Sequence, residues 1–243
     1  MKIRIISSLA FMIVSSAATA QGTWDGIYLK SGIGMSFGID SNGTIGDLSG
    51  PPDDQMDFDF GKSTTYQLGL GYLVNNWFTS ELSLQHSSGF DLEGPYTDDG
   101  VHEDGVNGNV NLKTTSIMLT GQVDMASILG KDWKARPYVG LGVGYAKNKI
   151  GTTTLSASYE ADYIDGESID GNTENNFAWK ATLGTTYPIN NKFVFDASYS
   201  YADYGQAKSS SSCHGGGELY TLNSPLTFDV KSHDVLFAVR YLF

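Results

Sequence analysis

Six charged residues sit at alternating positions inside stretches that are otherwise apolar or rich in glycine: Lys30, Glu81, Asp124, Lys180, Asp196 and Arg240. Carboxylates gathered near bases admit two chemistries. One is general acid–base catalysis, which needs a nucleophile or a histidine within hydrogen-bond reach. The other is mutual neutralisation, because a charge taken out of water and left unpaired costs several kcal/mol. No histidine or nucleophile is expected beside them in the lumen, so the pattern favours a salt-bridged cluster: Lys30 and Arg240 against Glu81, Asp124 and Asp196, with Lys180 at mid-height. Other candidates are weaker. Cys213-His214 offers two metal ligands, too few for a site, and a single Cys cannot form a disulfide within its own chain. Gly140-Leu-Gly-Val-Gly144 lacks both the spacing and the following helix of a nucleotide-binding loop.

The alternation that places these charges has a period of two, the signature of strands with unlike faces. Eight such segments of about ten residues occur, at 26–37, 64–73, 77–86, 113–125, 136–147, 177–187, 193–204 and 235–243. One face of each is apolar or aromatic, as in Tyr66, Leu68, Leu70 and Tyr72. The other carries the charges together with Gly32, Gly34, Gly69, Gly71, Gly140, Gly142 and Gly144. The connections also sort by length. Those after the second, fourth and sixth segments are short. Those after the odd segments are long, spanning 38–63, 87–112, 148–176 and 205–231. Short turns at one end and long loops at the other, with apolar residues outside and polar residues inside, predict an all-β fold. The expected architecture is an eight-stranded antiparallel up-and-down transmembrane β-barrel, with a soluble lipocalin-type barrel as the alternative.

The N-terminus agrees with export. Lys2 and Arg4 precede a mostly apolar run from Ile5 to Val14, and Ala18-Thr19-Ala20 supplies small residues for cleavage. The expectation is a signal peptide over 1–20 and a single barrel domain over 21–243. Loss of the two bases takes the formal charge from −12 to −14, which disfavours nucleic acid as a partner. Acids crowd the long loops: Asp40, Asp47, Asp53, Asp54, Asp57 and Asp59 in the first, Asp91, Glu93, Asp98, Asp99, Glu103 and Asp104 in the second, Glu160, Asp162, Asp165, Glu167, Asp170 and Glu174 in the third. Mutual repulsion that keeps loops soluble explains them more simply than divalent-cation binding, and 162–172 does not match the EF-hand spacing. Phe58, Phe60, Tyr96, Tyr159, Tyr163 and Tyr220 are apolar loop residues that could anchor a partner or pack loop on loop.

Arg136-Pro-Tyr-Val-Gly-Leu-Gly-Val-Gly-Tyr-Ala146, Phe177-Ala-Trp-Lys-Ala181, Phe195-Asp-Ala-Ser-Tyr-Ser-Tyr201 and the closing Ser232-His-Asp-Val-Leu-Phe-Ala-Val-Arg-Tyr-Leu-Phe243 resemble strand motifs of the opacity-protein-like porin family of small outer-membrane barrels. The resemblance implies an OmpA-type barrel on the bacterial outer membrane, displayed at the surface among lipids and lipopolysaccharide. It also makes Val239, Tyr241 and Phe243 similar to the signal read by the outer-membrane assembly machinery. It implies no activity and no cofactor. His86 and Ser88 resemble the His-x-Ser of outer-membrane lipid A deacylases, but Gly89 stands where that family has Asn. The expected function is structural or surface display, as an adhesin or surface antigen that meets its extracellular ligand through the loops. A small porin-like channel is the alternative, and a lipid-modifying enzyme is more remote.

Overall fold

The computed structural model describes residues 26–45, 54–98, 101–157, 168–215 and 218–243. The expected signal peptide lies outside the described residues. The elements run β1 (Ile27–Gly38), β2 (Ser41–Ile45), β3 (Asp54–Phe60), β4 (Lys62–Leu73), β5 (Phe78–Asp98), β6 (Val101–Asp124), α1 (Met125–Ile128), β7 (Arg136–Ile150), β8 (Thr153–Ala157), β9 (Ser168–Ile169), β10 (Thr173–Pro188), β11 (Phe193–Lys208), β12 (Ser212–Gly215), β13 (Glu218–Thr221) and β14 (Thr227–Leu242). Eight of them, β1, β4, β5, β6, β7, β10, β11 and β14, pair antiparallel with their neighbours in chain order. Pairing of β1 with β14, from Tyr28 opposite Leu242 to Gly38 opposite Ser232, closes the cylinder and removes its free edges. The short connections at one end are 74–77, α1 with its following coil, and 189–192.

The alternation holds around the ring. Ile33, Leu68, Leu82, Leu119, Leu141, Leu183, Tyr199 and Phe237, one from each barrel strand, all point outward and are exposed. A continuous apolar band of this kind on a protein in water would be an uncovered interface. Lipid satisfies it, and the soluble-barrel alternative fails on this observation. Tyr28, Lys30, Gln67, Glu81, Gln85, Met118, Tyr138, Lys180, Asp196 and Arg240 point inward and are buried.

The long connections depart from expectation. They were expected to be loops, but much of each is strand that prolongs the barrel wall outward. β5 and β6 run 21 and 24 residues, where about 9–11 suffice to cross a bilayer. β2 and β3 form a hairpin that pairs with β5 and touches β14. β8 pairs with β6, and β9 joins β8 to β12. Within the connection 205–231, Ser209 is buried and its hydroxyl accepts from Leu226 N at 3.0 Å. The extension is stabilised by an apolar core inside the outer part of the barrel. It comprises Phe60, Phe90, Val110, Leu112, Ile150, Ile169, Tyr204, Leu226, Phe228 and Val230, with Cys213 among them. Phe60 makes edge contacts with Phe90 at 6.4 Å and Phe228 at 5.7 Å between ring centroids. Phe60 is thus a core residue and not a surface anchor.

Two β-bulges bring this core inward. Register shifts lie between Ser87 and Phe90 and between Asp203 and Gln206, each containing a glycine at positive φ, Gly89 at 78° and Gly205 at 73°. An extra residue reverses which positions face the lumen. Phe90 and Ala207 therefore turn inward, out of the phase set lower on their strands.

Lower in the barrel, glycines make room for tyrosine rings. A Cβ built on Gly71 would overlap the Tyr28 ring, and one on Gly184 would overlap the Tyr138 ring. At Gly69 the nearest atoms, on Glu81 and Lys30, stand at 3.4 Å, an ordinary contact. Gly71→Ala and Gly184→Ala are therefore expected to destabilise the folded barrel by about 1–3 kcal/mol through overpacking, and Gly69→Ala by much less. Urea denaturation in lipid vesicles checks the contrast. Equal midpoints for all three variants would contradict this packing.

Candidate functional site: the ion-paired lumen

The barrel is too narrow to be empty, so its inward side chains decide what it can do. Asp196, fully buried on β11, is the centre of the lower tier. Arg240, two strand positions from the end of β14, donates to Asp196 Oδ2 from Nε at 2.6 Å and pairs with the same carboxylate through Nη2. Lys30 Nζ lies 3.5 Å from Asp196 Oδ2 and 3.6 Å from Glu81 Oε1. The Tyr138 hydroxyl donates to Asp196 Oδ1 at 3.0 Å, and that of Tyr28 donates to Glu81 Oε2 at 2.7 Å. The Arg240 guanidinium lies between these rings, 4.8 Å from the Tyr28 centroid and 5.3 Å from that of Tyr138. It also donates from Nη2 to Gln122 Oε1 at 2.9 Å. Charges stripped of water are neutralised here and their remaining lone pairs are used, the condition under which a buried ion cluster is tolerated.

Above it lies a second tier centred on Asp234. Its carboxylate accepts from Ser232 Oγ at 2.7 Å, Gln85 Nε2 at 2.8 Å and Tyr204 Oη at 2.9 Å. Lys180, buried on β10, has no carboxylate within ion-pair distance among the described residues. It borders a cavity of about 10 Å³ with Lys30, Gln67, Glu81, Thr120 and Asp234. Such a space suits about one water, and the lining is polar: Gln67 Oε1 and Thr120 Oγ1 are buried with no protein partner. The buried charges of the described lumen are Lys30, Lys180 and Arg240 against Glu81, Asp196 and Asp234, which balance.

The structure thus brings Lys30, Glu81, Asp196 and Arg240 together and sets Lys180 beside them. It does not bring in Asp124. That residue ends β6 at the periplasmic mouth, where the chain turns into α1. There its Oδ1 caps the helix by accepting from Ser127 N at 2.9 Å, and its Oδ2 pairs with Arg136 Nε at 2.7 Å. The free N–H groups of a helix start and a nearby guanidinium hold it at the rim. An open vestibule of about 370 Å³ lies below the cluster, lined by Asp124 and Arg136 at its mouth and by Tyr28, Tyr138 and Arg240 at its roof. Sequence reasoning missed Asp234, Tyr28, Tyr138, Gln85 and Gln122 as members. Their shared inward phase with the charges was the available signal.

The other candidates scatter. His86 Nδ1 pairs with Thr115 Oγ1 at 2.8 Å, while Ser88 Oγ donates to Thr64 O at 3.3 Å, so each has its own partner. Cys213 is buried in the outer core, and His214 Nε2 stands 3.4 Å from Asp170. No group of three metal-ligating side chains occurs among the described residues. Most of the loop acids, and Phe58, Tyr96, Tyr159, Tyr163 and Tyr220, have side chains outside the described residues. Val239 and Phe243 are exposed on the outward face. The Phe243 ring meets Tyr241 at 5.2 Å, and Phe243 N donates to Ile27 O at 3.2 Å.

The family described as outer membrane protein beta-barrel domain matches residues 6–243. The chain belongs to that family. Its place is the bacterial outer membrane, and its kinship is with surface-displayed barrels. The outer membrane protein PagN of Salmonella typhimurium is 27% identical over 147 residues, 60% of this chain and 55% of PagN. This chain therefore matches about half the length of that relative. A Rickettsia canadensis protein provisionally named an adhesin is 25% identical over 93% of this chain and 97% of its own. Among solved structures, OprG of Pseudomonas aeruginosa superposes with a TM-score of 0.58 at 17% identity, covering 90% of this chain and 96% of OprG. That likeness extends to the fold.

Proposed function

We propose that this protein is a closed, non-catalytic outer-membrane barrel whose work is done by its extracellular β-hairpins, as an adhesin. The observation that carries this is the filled interior: an ion-paired lower tier, a hydrogen-bonded middle tier and an apolar core stacked along one axis. Such an interior transports nothing but makes a rigid base for the long β5–β6 hairpin. Strands that continue past the bilayer hold the outer residues at fixed spacing, which lowers the entropy lost on engaging a partner. The name of the Rickettsia relative lends support. Against catalysis, the Ser232 hydroxyl that meets Asp234 is sealed in the buried middle tier, and His86 and Ser88 do not address each other.

The test is display of the chain on a non-adherent Gram-negative host. Gly94 and Gly108 face each other across β5 and β6, so residues 95–107 can be replaced by a two-residue turn without altering the register below. The full chain is expected to confer attachment to cultured cells, and the shortened hairpin, at equal surface level, to lose most of it. Equal attachment by both would remove the hairpin from the proposal, and none by either would remove adhesion.

A further inference from the structure

The extracellular edge of the outward band carries a feature that neither the lumen nor the hairpins explain. On β6 and β7 the outward apolar rows end at Ile117 and Tyr145, both well exposed, with Phe177 beside them on β10. The next outward pair is Thr115 with Lys147, and beyond it come Lys113 and Lys149. Lys113 stands directly opposite Lys149, and Lys147 lies two residues nearer the bilayer on the same face; all three are exposed. Asn175 and Thr173 of β10 flank them, in register with Lys147 and Lys149. Like charges directly opposed across an antiparallel pair repel at roughly 4.5–5.5 Å between Cβ atoms. Among the described residues no carboxylate lies within ion-pair distance of any of the three. Lys231, at the outer end of β14, by contrast has Asp229 at 2.8 Å. Three adjacent lysines without a carboxylate partner among the described residues, on a chain of net charge −12, form a locally inverted field that an anion would relieve.

We propose that Lys113, Lys147 and Lys149 bind the phosphate groups of a phosphorylated glycolipid in the outer leaflet. The apolar surface beneath them selects this occupant. A lipid whose chains lie on Ile117, Tyr145 and Phe177 places its headgroup phosphates at the height of these ammonium groups, two to four residues or about 7–13 Å farther along the strands. A soluble sulfated polysaccharide would use the charges but not the greasy surface below. The inference rests on the outer-membrane location and is independent of whether the lumen is closed.

The test uses protein refolded into phosphatidylcholine vesicles doped with bisphosphorylated lipid A or with its dephosphorylated form. Folding is checked by heat-shifted gel mobility, and lipid retention is read by native mass spectrometry. Bisphosphorylated lipid A is expected to raise the unfolding temperature of the wild type and to be retained. K113Q/K147Q/K149Q should lose most of the increment, with retention weaker on the order of a hundredfold. K147Q alone should show an intermediate loss, and K131Q/K134Q/K192Q, at the periplasmic rim, should behave as wild type. An unchanged increment in the triple variant, equal retention of dephosphorylated lipid A, or equal loss in the rim variant would overturn the proposal. So would displacement of lipid A by soluble heparin, which would assign the lysines to a polysaccharide.

Discussion

Arg240→Ala is expected to lower the stability of the folded barrel by about 3–5 kcal/mol, the cost of leaving a buried counter-charge without its partner. Arg240 makes two contacts to Asp196, fills the space between the Tyr28 and Tyr138 rings and satisfies Gln122. Its loss leaves fully buried Asp196 with Lys30 at 3.5 Å and one tyrosine hydroxyl. Removing both partners in Asp196→Ala/Arg240→Ala should cost less than the sum of the single losses, because the stranded charge goes with its partner. The midpoint of heat-shifted gel mobility, measured across the three variants in one lipid, gives the coupling. Additive losses, or an unchanged midpoint in Arg240→Ala, would mean that the cluster does not hold the barrel together.

The second large effect lies at the opposite end. Phe228→Ala should cost about 3–5 kcal/mol, the usual range for removing a buried aromatic ring from a packed core. Phe228 is almost fully buried and meets Phe60 edge-on, at the seam where β14 passes the β2–β3 hairpin. The loss should be local. Amide exchange should speed up at the outer ends of β5, β6 and β14, while the membrane-embedded strands stay protected. Exchange that rises equally over the whole barrel would show that the outer core and the ionic tiers are one cooperative unit.

Period-two alternation made the barrel readable because both solvents are present: lipid outside demands apolar residues and the crowded lumen demands polar ones. It also placed Lys30, Glu81, Asp196 and Arg240 on one inner surface. Asp124 shared that phase but is the last residue of its strand, where helix N–H groups and Arg136 compete for it; alternation does not say where a strand stops. Asp234 shares the even phase of Arg240 on the closing strand but was left out of the expected cluster, because alternation gives a face and not the partners met at each height. Leu226, Phe228, Val230, Ser232 and Asp234 continue that strand's inner phase without a break. The outer core was hidden for a different reason. Phe90 and Ala207 fall on the wrong phase until the bulges at Gly89 and Gly205 are known, and the surrounding acids gave those segments the composition of loops.

The central claim is that the interior is closed above the periplasmic vestibule by the ionic tier, the hydrogen-bonded tier and the apolar core, and electrical conductance tests it most directly. Folded protein, verified by heat-shifted mobility, would be reconstituted into planar bilayers and recorded under applied voltage. A quiet membrane is the predicted result. Regular conductance steps whose size changes with Arg240→Ala would contradict it, because ions would then be passing through the tiers described as closed.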